Sequence, residues 1–244
     1  MAVAEPSLDV ENALFASGVR YVIGCDEVGR GAMAGPVAVG MAIVDARIGG
    51  IPEGLRDSKM LSEKRREALA PLAAEWVLYS AVGEASAAEV DALGITACLG
   101  LAGKRALLAL HASGADIAAS TVLLDGSQDW LNPALGSPLP VQMRVKADRD
   151  CASVAAASVI AKVHRDKIMI DLHEEYPHYG WVGNKGYGSP THMAAIAEHG
   201  ATPVHRVTWI KSEAPAPVAP DAPVSAGTLV APGVFDALRA DGAD

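Results

Sequence analysis

The chain has 244 residues, half of them apolar, and 29 acids against 20 bases give it a formal net charge of −9. This length suits one large domain or two small ones with a full core, and the acidic balance excludes a protein that holds nucleic acid by bulk electrostatics alone. Three separated cysteines without a CxxC spacing indicate neither a zinc site nor a disulfide framework. No signal peptide is evident and no run reaches the roughly 20 apolar residues of a membrane span, so we expect a cytoplasmic protein with no membrane partner.

Composition along the chain predicts three regions. Residues 1–18 read as a flexible lead-in with a short helix around VENALFASG, and residues 19–211 form the body. Residues 212–244 are rich in alanine and proline and carry five acids against one base. Such a segment buries too little apolar surface to offset its ordering entropy, so we predict that this tail is disordered.

Five strands and four helices are predicted in the body. The strand runs are RYVIGCDE, PVAVGMAIV, EWVLYSAVGEAS, TVLLDG and PVQMRVKAD, and the first two are separated by a glycine-rich bend. The helices are SEKRREALAPLAAE, GITACLGLAGKRALLALHASG, CASVAAASVIAKVHRDKIMIDLHEEYP and SPTHMAAIAEHG; the last has Ser189 as cap, Pro190 in the first turn and Gly200 as terminator. This order predicts a mixed α/β sheet with a helical extension.

The bend GRGAMAG has the form of a dinucleotide-binding fingerprint, but its context is wrong. That fingerprint requires a helix that begins at the glycines, so that the helix N-terminus faces a pyrophosphate. Here Pro36 and the β-branched run VAVGMAIV follow instead. A dinucleotide site is therefore not indicated.

Carboxylates stand at the ends of three predicted strands. Asp26 and Glu27 end the first, Asp125 ends TVLLDG and Asp148 ends RVKAD. Each alone could be a solvated turn acid, but converging carboxylates repel one another unless a cation joins them. An all-oxygen set favours Mg²⁺ or Mn²⁺, and two such ions about 3.5–4 Å apart perform in-line hydrolysis of phosphodiesters.

The adjacency of Asp26 and Glu27 sets a condition on this hypothesis. Neighbouring residues on a regular strand point to opposite faces of the sheet. Both side chains reach one site only if the strand breaks at Glu27; alternatively, one of the two residues contributes its backbone carbonyl.

Five ordered motifs resemble those of type 2 ribonuclease H, the bacterial ribonuclease HII family, from about Tyr21 to Trp209. They are CDEVGRGAMAGPV, LRDSKMLSEKRRE, LLDG, KADRDCASVAAASVIAKVHRD and YPHYGWVGNKGYGSPTH. Each motif alone is weak, whereas the ordered set is specific. The resemblance implies a ribonuclease H-like fold, in which a central five-stranded mixed sheet is flanked by helices and followed by a helical C-terminal extension.

The resemblance also implies roles for individual residues. Four carboxylates would be catalytic and metal-binding: Asp26, Glu27, Asp125 and Asp148. Six residues would contact substrate, namely the ribonucleotide sensor Gly29, Arg30 and Gly31, the deoxyribose-packing Tyr187, and the phosphate contacts Lys59 and Lys185. Small departures from the family pattern, Met60, Asn184 and Ser189, touch none of the carboxylates.

Structural explanations remain open for several of these residues. The glycines suit a simple hairpin turn, Tyr187 suits a partly buried loop position, and Asp148 adjoins two other charged residues. His192 and His205 could each be structural, and His192 could also contact phosphate or carry a proton.

The expected activity is a metal-dependent endonuclease using Mn²⁺ or Mg²⁺. It would cleave the RNA strand of RNA–DNA hybrids and nick duplex DNA 5′ to a single embedded ribonucleotide, leaving a 3′-hydroxyl and a 5′-phosphate. A different carboxylate-metal phosphoesterase and a non-catalytic hybrid-binding module are the two alternatives. A monomer is the default expectation.

Overall fold

The computed structural model describes residues 5–210, and a mixed five-stranded sheet lies at their centre. The strands are β1 Tyr21–Val28, β2 Val37–Val44, β3 Tyr79–Ala85, β4 Ser120–Asp125 and β5 Val141–Arg144. Their order is β3-β2-β1-β4-β5. The first three strands pair antiparallel, whereas β4 runs parallel to β1 and β5 parallel to β4. The predicted mixed sheet is confirmed.

Eight α-helices accompany the sheet in the described range. They are α1 Asp9–Ala16, α2 Glu63–Trp76, α3 Ala87–Leu93, α4 Ile95–Ala112, α5 Ala147–Asp150, α6 Ala152–Glu175, α7 Trp181–Asn184 and α8 Pro190–His199. The predicted cap Ser189 is present and accepts a hydrogen bond from the amide of His192, and Ser62 caps α2 by accepting one from the amide of Arg65. The helix α3 was not predicted.

The two faces of the sheet bury separate apolar clusters. Ile23 and Cys25 of β1 pack in a cluster with α4, whereas Val22 and Leu123 pack in a cluster with α6. A Cβ atom on Gly24 would lie 2.2 Å from the carbonyl carbon of Ser153, so the missing side chain lets α6 approach the sheet closely. The alanine-rich start of α6 is therefore a buried helix that lies against β1.

The helix α4 passes, by length and composition alone, as a candidate membrane span. In the fold it packs across β2 and β3, and its inner residues, including Cys98 and Leu99, are fully buried in the core. The same length and apolar character are typical of a core helix.

The start of the chain differs from the prediction. The predicted short helix is present as α1, but it is not loosely attached, because Glu11 is buried and accepts hydrogen bonds from the amide and hydroxyl of Ser153 at 2.9 and 2.7 Å. Residues 1–4 and the predicted disordered tail 212–244 lie outside the described residues, so the boundaries at 18 and 211 stay predictions.

Two predicted strand ends are also wrong. The strand β1 does not break at Glu27, which still pairs with Val39, and it continues to Val28. The strand β5 ends at Arg144, so Asp148 lies not at a strand end but in the short helix α5. The chain turns between them at Lys146, whose φ of 64° is in the left-handed region.

Candidate active site

Two of the predicted carboxylates lie on one face of the sheet, at the point where β1 and β4 diverge. The strands pair up to Cys25 and Leu124, and Asp26 and Asp125 follow these positions. Side chains alternate along a strand, so Asp26 shares the α6 face with Gly24, and Glu27 points to the opposite face. The Ser158 hydroxyl of α6 is among the groups that lower the pKa of Asp26, which agrees with that orientation.

The helix α5 brings Asp148 to Asp125. The Asp125 carboxylate accepts a hydrogen bond of 2.7 Å from the amide of Ala147, the residue before Asp148. Asp125 therefore caps the turn that carries Asp148, which is itself buried. A hydrogen bond rather than a strand register sets the position of this fourth carboxylate.

These four residues, Asp26, Glu27, Asp125 and Asp148, form what we call the carboxylate cluster. The pKa of Asp26 is raised to about 8, mainly by burial, and the charges of Glu27 and Asp125 also raise it. Lys59 and the Ser158 hydroxyl act in the opposite direction and lower it. Burial likewise raises the pKa of Glu27, and burial followed by the charge of Asp148 raises that of Asp125. The cluster thus holds more negative charge than its surroundings stabilise.

Lys59 supplies the positive charge that reaches this cluster. Its ammonium lies 2.9 Å from Oδ2 of Asp148 and 3.9 Å from Oδ1 of Asp57. Burial lowers the pKa of Lys59, but Asp26 and Asp148 outweigh that effect and hold it above its ordinary value. Its predicted phosphate contact stays a prediction, whereas in this structure Lys59 is a counter-ion of the cluster.

The cluster fits a divalent metal in its chemistry. Its donors are all oxygen atoms, the ligands that Mg²⁺ and Mn²⁺ prefer, and the raised pKa values of Asp26, Glu27 and Asp125 indicate that a bound cation would be favourable. Within residues 5–210, however, no three His, Cys, Asp or Glu side chains converge closely enough to hold one ion.

The predicted ribonucleotide sensor directly follows β1. Gly29 has a φ of +78°, which favours glycine, and a Cβ atom there would lie 2.0 Å from Nε of Arg165. Arg30 and Gly31 are exposed, and neither backbone amide donates a hydrogen bond to any described atom. The Arg30 guanidinium lies 3.2 Å from Oε1 of Glu27, so the structure joins the sensor to the carboxylate cluster.

Tyr187 lies against the same turn. Its hydroxyl accepts a hydrogen bond of 3.2 Å from the amide of Gly29, and its ring centroid is 5.5 Å from the guanidinium carbon of Arg165. The ring is 38% exposed, so one side remains open to a ligand. The structure therefore brings together two predicted substrate contacts that are 158 residues apart in the chain.

Lys185 is placed differently from the prediction. It is buried, its ammonium pairs with Glu63 at 2.8 Å and donates to the carbonyl of Val182, and its φ is +51°. Its own carbonyl accepts a hydrogen bond from Arg165. These contacts favour a structural role for Lys185. Its predicted contact with a substrate phosphate stays a prediction.

His192 and His205 are buried together behind Tyr187. The amide of Thr202 donates to Nδ1 of His205, so the proton of neutral His205 is on Nε2, which lies 3.1 Å from Nε2 of His192. His192 Nε2 also accepts from the Trp181 indole at 3.1 Å, so its own proton is on Nδ1 and is donated to the carbonyl of Tyr187 at 2.9 Å. Burial lowers the pKa of both rings, that of His205 to about 4.

The sequence analysis missed two residues of this site, Arg165 and Arg206. Both guanidinium groups are fully buried and bind backbone carbonyls of the turn that carries the sensor. An arginine in AKVHRDKIM reads as part of a solvated helix face, and the HR pair near the end of the body has no distinctive spacing. Only the glycine-rich bend, which leaves carbonyls to be satisfied, hinted at such partners.

The chain matches a family model described as Ribonuclease HII over residues 23–212. It is 49% identical over 210 residues to the ribonuclease HII of Streptomyces avermitilis, which covers 86% of this chain and 85% of the relative. It is 46% identical over 204 residues to that of Paracoccus denitrificans, which covers 82% and 90%.

Solved structures with a similar fold include the ribonuclease H2 of Pyrococcus horikoshii. Its TM-score is 0.60 at 26% identity, and the match covers 78% of this chain and 93% of that one. The structure of Bst-RNase HIII in complex with Mn²⁺ has a TM-score of 0.60 at 26% identity, with 74% of this chain and 61% of that one covered. The ribonuclease H-like fold is thereby confirmed.

Proposed function

The chain belongs to the ribonuclease HII family and is an endoribonuclease, and we propose that it hydrolyses RNA in RNA–DNA hybrids and also nicks duplex DNA on the 5′ side of a single ribonucleotide. Two divalent cations held by the carboxylate cluster would serve the reaction, which leaves a 3′-hydroxyl and a 5′-phosphate. The family match over residues 23–212 supports the reaction class. The finer features rest on the geometry of the site.

One observation carries this proposal: the carboxylate cluster and the sensor turn are joined at Glu27 and Arg30. Their side chains are 3.2 Å apart, and only Val28 separates Glu27 from Gly29. A phosphate that enters the cluster would therefore stand next to the sugar that the turn reads. This adjacency supports a cut placed beside the ribonucleotide.

Asp26, Asp125 and Asp148 would hold the metal through their side chains. Glu27, whose side chain leaves the other face of the unbroken strand β1, would contribute its backbone carbonyl. A bound divalent cation supplies activation of a water molecule and stabilisation of charge at the phosphate. The all-oxygen donor set supports Mn²⁺ or Mg²⁺ as the cofactor, and so does the similarity to Bst-RNase HIII, whose structure is in complex with Mn²⁺. The cleavage assay below compares these two ions directly.

The remaining contacts bind and orient the substrate. The unbonded amides of Arg30 and Gly31 are available to a 2′-hydroxyl, which accepts as well as donates and so distinguishes RNA from DNA. The half-exposed Arg30 guanidinium can fork onto a phosphate. The open side of the Tyr187 ring can pack on the sugar that follows the ribonucleotide.

The test uses a labelled DNA duplex that carries one internal ribonucleotide, with an all-DNA duplex and a long RNA–DNA hybrid as controls. Each is incubated with the full chain in Mn²⁺, Mg²⁺ or EDTA. We expect a single nick 5′ to the ribonucleotide in either metal, cleavage of the hybrid, no cut in the all-DNA duplex and no product in EDTA.

Other outcomes separate the alternatives. Equal cleavage of the all-DNA duplex would indicate a different carboxylate-metal phosphoesterase. Tight binding without cleavage in any metal would indicate a hybrid-binding module. Cleavage of the hybrid without a nick at the single ribonucleotide would keep the cluster and reject the sensor.

A further inference from the structure

Two buried cations lie behind the sensor turn without an acid to neutralise them. Arg165 of α6 and Arg206, just before the last short 3-10 turn, are each 0% exposed. Neither makes an ion pair with any carboxylate between residues 5 and 210. Buried charges are ordinarily paired because desolvation is costly, so this pair requires an explanation.

Arg206 binds the carbonyls of the sensor itself. Its Nη2 donates to the carbonyl of Gly29 at 2.7 Å and to that of Gly35 at 3.2 Å, and its Nη1 donates to the carbonyl of Arg30 at 2.9 Å. Its buried Nε has no partner among the described atoms. The fork thus spans both ends of the segment from 29 to 36, which we call the reading loop.

Arg165 binds the other half of the reading loop. Its Nη2 donates to the carbonyl of Ala34 at 3.0 Å and its Nε to that of Pro36 at 2.8 Å. Its Nη1 donates to the carbonyl of Lys185, two residues before Tyr187, whose ring packs over the same guanidinium. Together the two arginines hold five carbonyls of the reading loop and the segment that carries the tyrosine.

The two guanidinium groups also favour an anion in front of the loop. Burial, followed by the charge of Arg165, lowers the pKa of Arg206 to about 10, so both groups stay protonated at neutral pH. Their mutual repulsion is relieved when a negative charge approaches. A phosphodiester bound by the exposed Arg30 guanidinium, in front of the loop, would supply that charge.

We propose that Arg165 and Arg206 are positioning residues that hold the reading loop and Tyr187 in the arrangement that selects a ribonucleotide over a deoxyribonucleotide. This inference rests on the proposed function and deepens it. Arginine suits the task because its planar fork binds several carbonyls in fixed directions, whereas lysine binds as a point charge. Selectivity, more than cleavage itself, would depend on the forks.

The test measures binding, so that it does not depend on the chemical step. In an Asp125→Asn background with Mg²⁺, fluorescence anisotropy gives the Kd for a duplex with one ribonucleotide and for the all-DNA duplex. The variants are Arg206→Met, which removes charge and fork, and Arg206→Lys, which keeps the charge. Arg105→Met is the matched control, because Arg105 also binds a backbone carbonyl, that of Glu84, but on α4.

The selectivity ratio is the Kd for the all-DNA duplex divided by the Kd for the duplex with one ribonucleotide. We expect this ratio to fall about tenfold in Arg206→Met, because the hydrogen bonds that read the 2′-hydroxyl lose their fixed positions. Arg206→Lys should lose about threefold, and Arg105→Met should keep the parental ratio. Thermal unfolding identifies variants that do not fold. If Arg206→Met is unfolded, Arg206→Lys and Arg165→Lys decide the question with the same ratio.

A folded Arg206 variant with weaker binding to both duplexes but an unchanged ratio would overturn the inference alone. A wild-type chain that never nicks at a single ribonucleotide would overturn the proposed function, and the inference with it. An unchanged ratio in both lysine variants would assign the arginines to stability only.

Discussion

The carboxylate cluster and the histidine pair behind Tyr187 are both buried and polar, but they are satisfied to different degrees. Every ring nitrogen of His192 and His205 has a hydrogen-bond partner. The cluster instead gathers four acids around two cations, the Lys59 ammonium beside Asp148 and the Arg30 guanidinium beside Glu27. The comparison teaches that the fold gives this structural pair a full set of partners, whereas its proposed reactive acids Asp26, Glu27 and Asp125 keep raised pKa values.

This difference gives the two regions opposite responses to pH. Asp26 has a folded pKa of about 8 against an ordinary 3.8, so the folded state binds its proton more tightly, and stability falls as pH rises from about 4 to 8. His205 has a folded pKa of about 4 against an ordinary 6.5, so the unfolded state binds its proton more tightly. Stability from His205 is therefore lost as pH falls from about 6.5 to 4.

The largest expected effect comes from removing one acid of the cluster. Asp125→Asn should lower cleavage by about 10³-fold or more, because a ligand of the metal is lost. The fold should survive, since an amide oxygen can still accept the hydrogen bond from Ala147. Single-turnover cleavage and thermal unfolding measure the two effects.

Asp129→Asn is the matched control, because Asp129 also follows β4 and accepts backbone hydrogen bonds, from Leu131 and Asn132, but lies outside the cluster. It should cleave like the parent. Full activity of Asp125→Asn would remove the cluster from the mechanism.

The next effect is on the stability of the metal-free protein. In EDTA, the titration of Asp26 should lower the free energy of unfolding by at most about 1.4 kcal/mol per pH unit between pH 6.5 and 8. The melting temperature should therefore fall by roughly 3–5 °C per pH unit in this range. Asp26→Asn should flatten this slope and raise the melting temperature at pH 8. A wild-type curve that is flat in this window would contradict the raised pKa of Asp26.

A smaller effect of opposite sign is expected from the histidine pair. His205→Asn keeps an acceptor for the amide of Thr202 but cannot be protonated. Its melting temperature should therefore fall less steeply than that of the wild type as the pH drops from 6.5 to 4. The measurement is the difference in melting temperature between the two proteins from pH 6.5 to 4, which removes the contribution of Asp26. A constant difference would mean that His205 does not titrate there.

The sequence predicted the central strands because each was a short apolar run next to a turn signal. It placed Asp26, Glu27 and Asp125 correctly at one end of the sheet for the same reason. It misplaced Asp148 because Lys146 adopts a left-handed conformation, and a non-glycine residue gives no sequence signal of that kind. The helix α3 begins with a capping box of Ser86 and Glu89 that can be recognised in the sequence. The helix was missed because Ser86 was assigned to the end of the predicted strand EWVLYSAVGEAS.

The support of the reading loop could not be predicted from local pattern. Arg165 and Arg206 act on carbonyls that lie more than 100 residues away in the chain, and the positions of those carbonyls follow from the tertiary fold. The burial of Lys185 could not be predicted for a related reason, because a lysine in a glycine-rich motif reads as exposed until its pair with Glu63 is seen.

The smallest effect tests whether the sensor depends on the hydrogen bond between its two parts. Tyr187→Phe keeps the ring and its packing over Arg165 but removes the oxygen that accepts from the amide of Gly29. One neutral hydrogen bond contributes about 1 kcal/mol, so nicking at a single ribonucleotide should fall by about fivefold and the free energy of unfolding by no more than about 1 kcal/mol. Tyr187→Ala should lose more, because the ring is lost as well. If the phenylalanine variant nicks like the wild type while the alanine variant fails, the ring alone reads the sugar, and the turn is held by its arginines without help from the tyrosine.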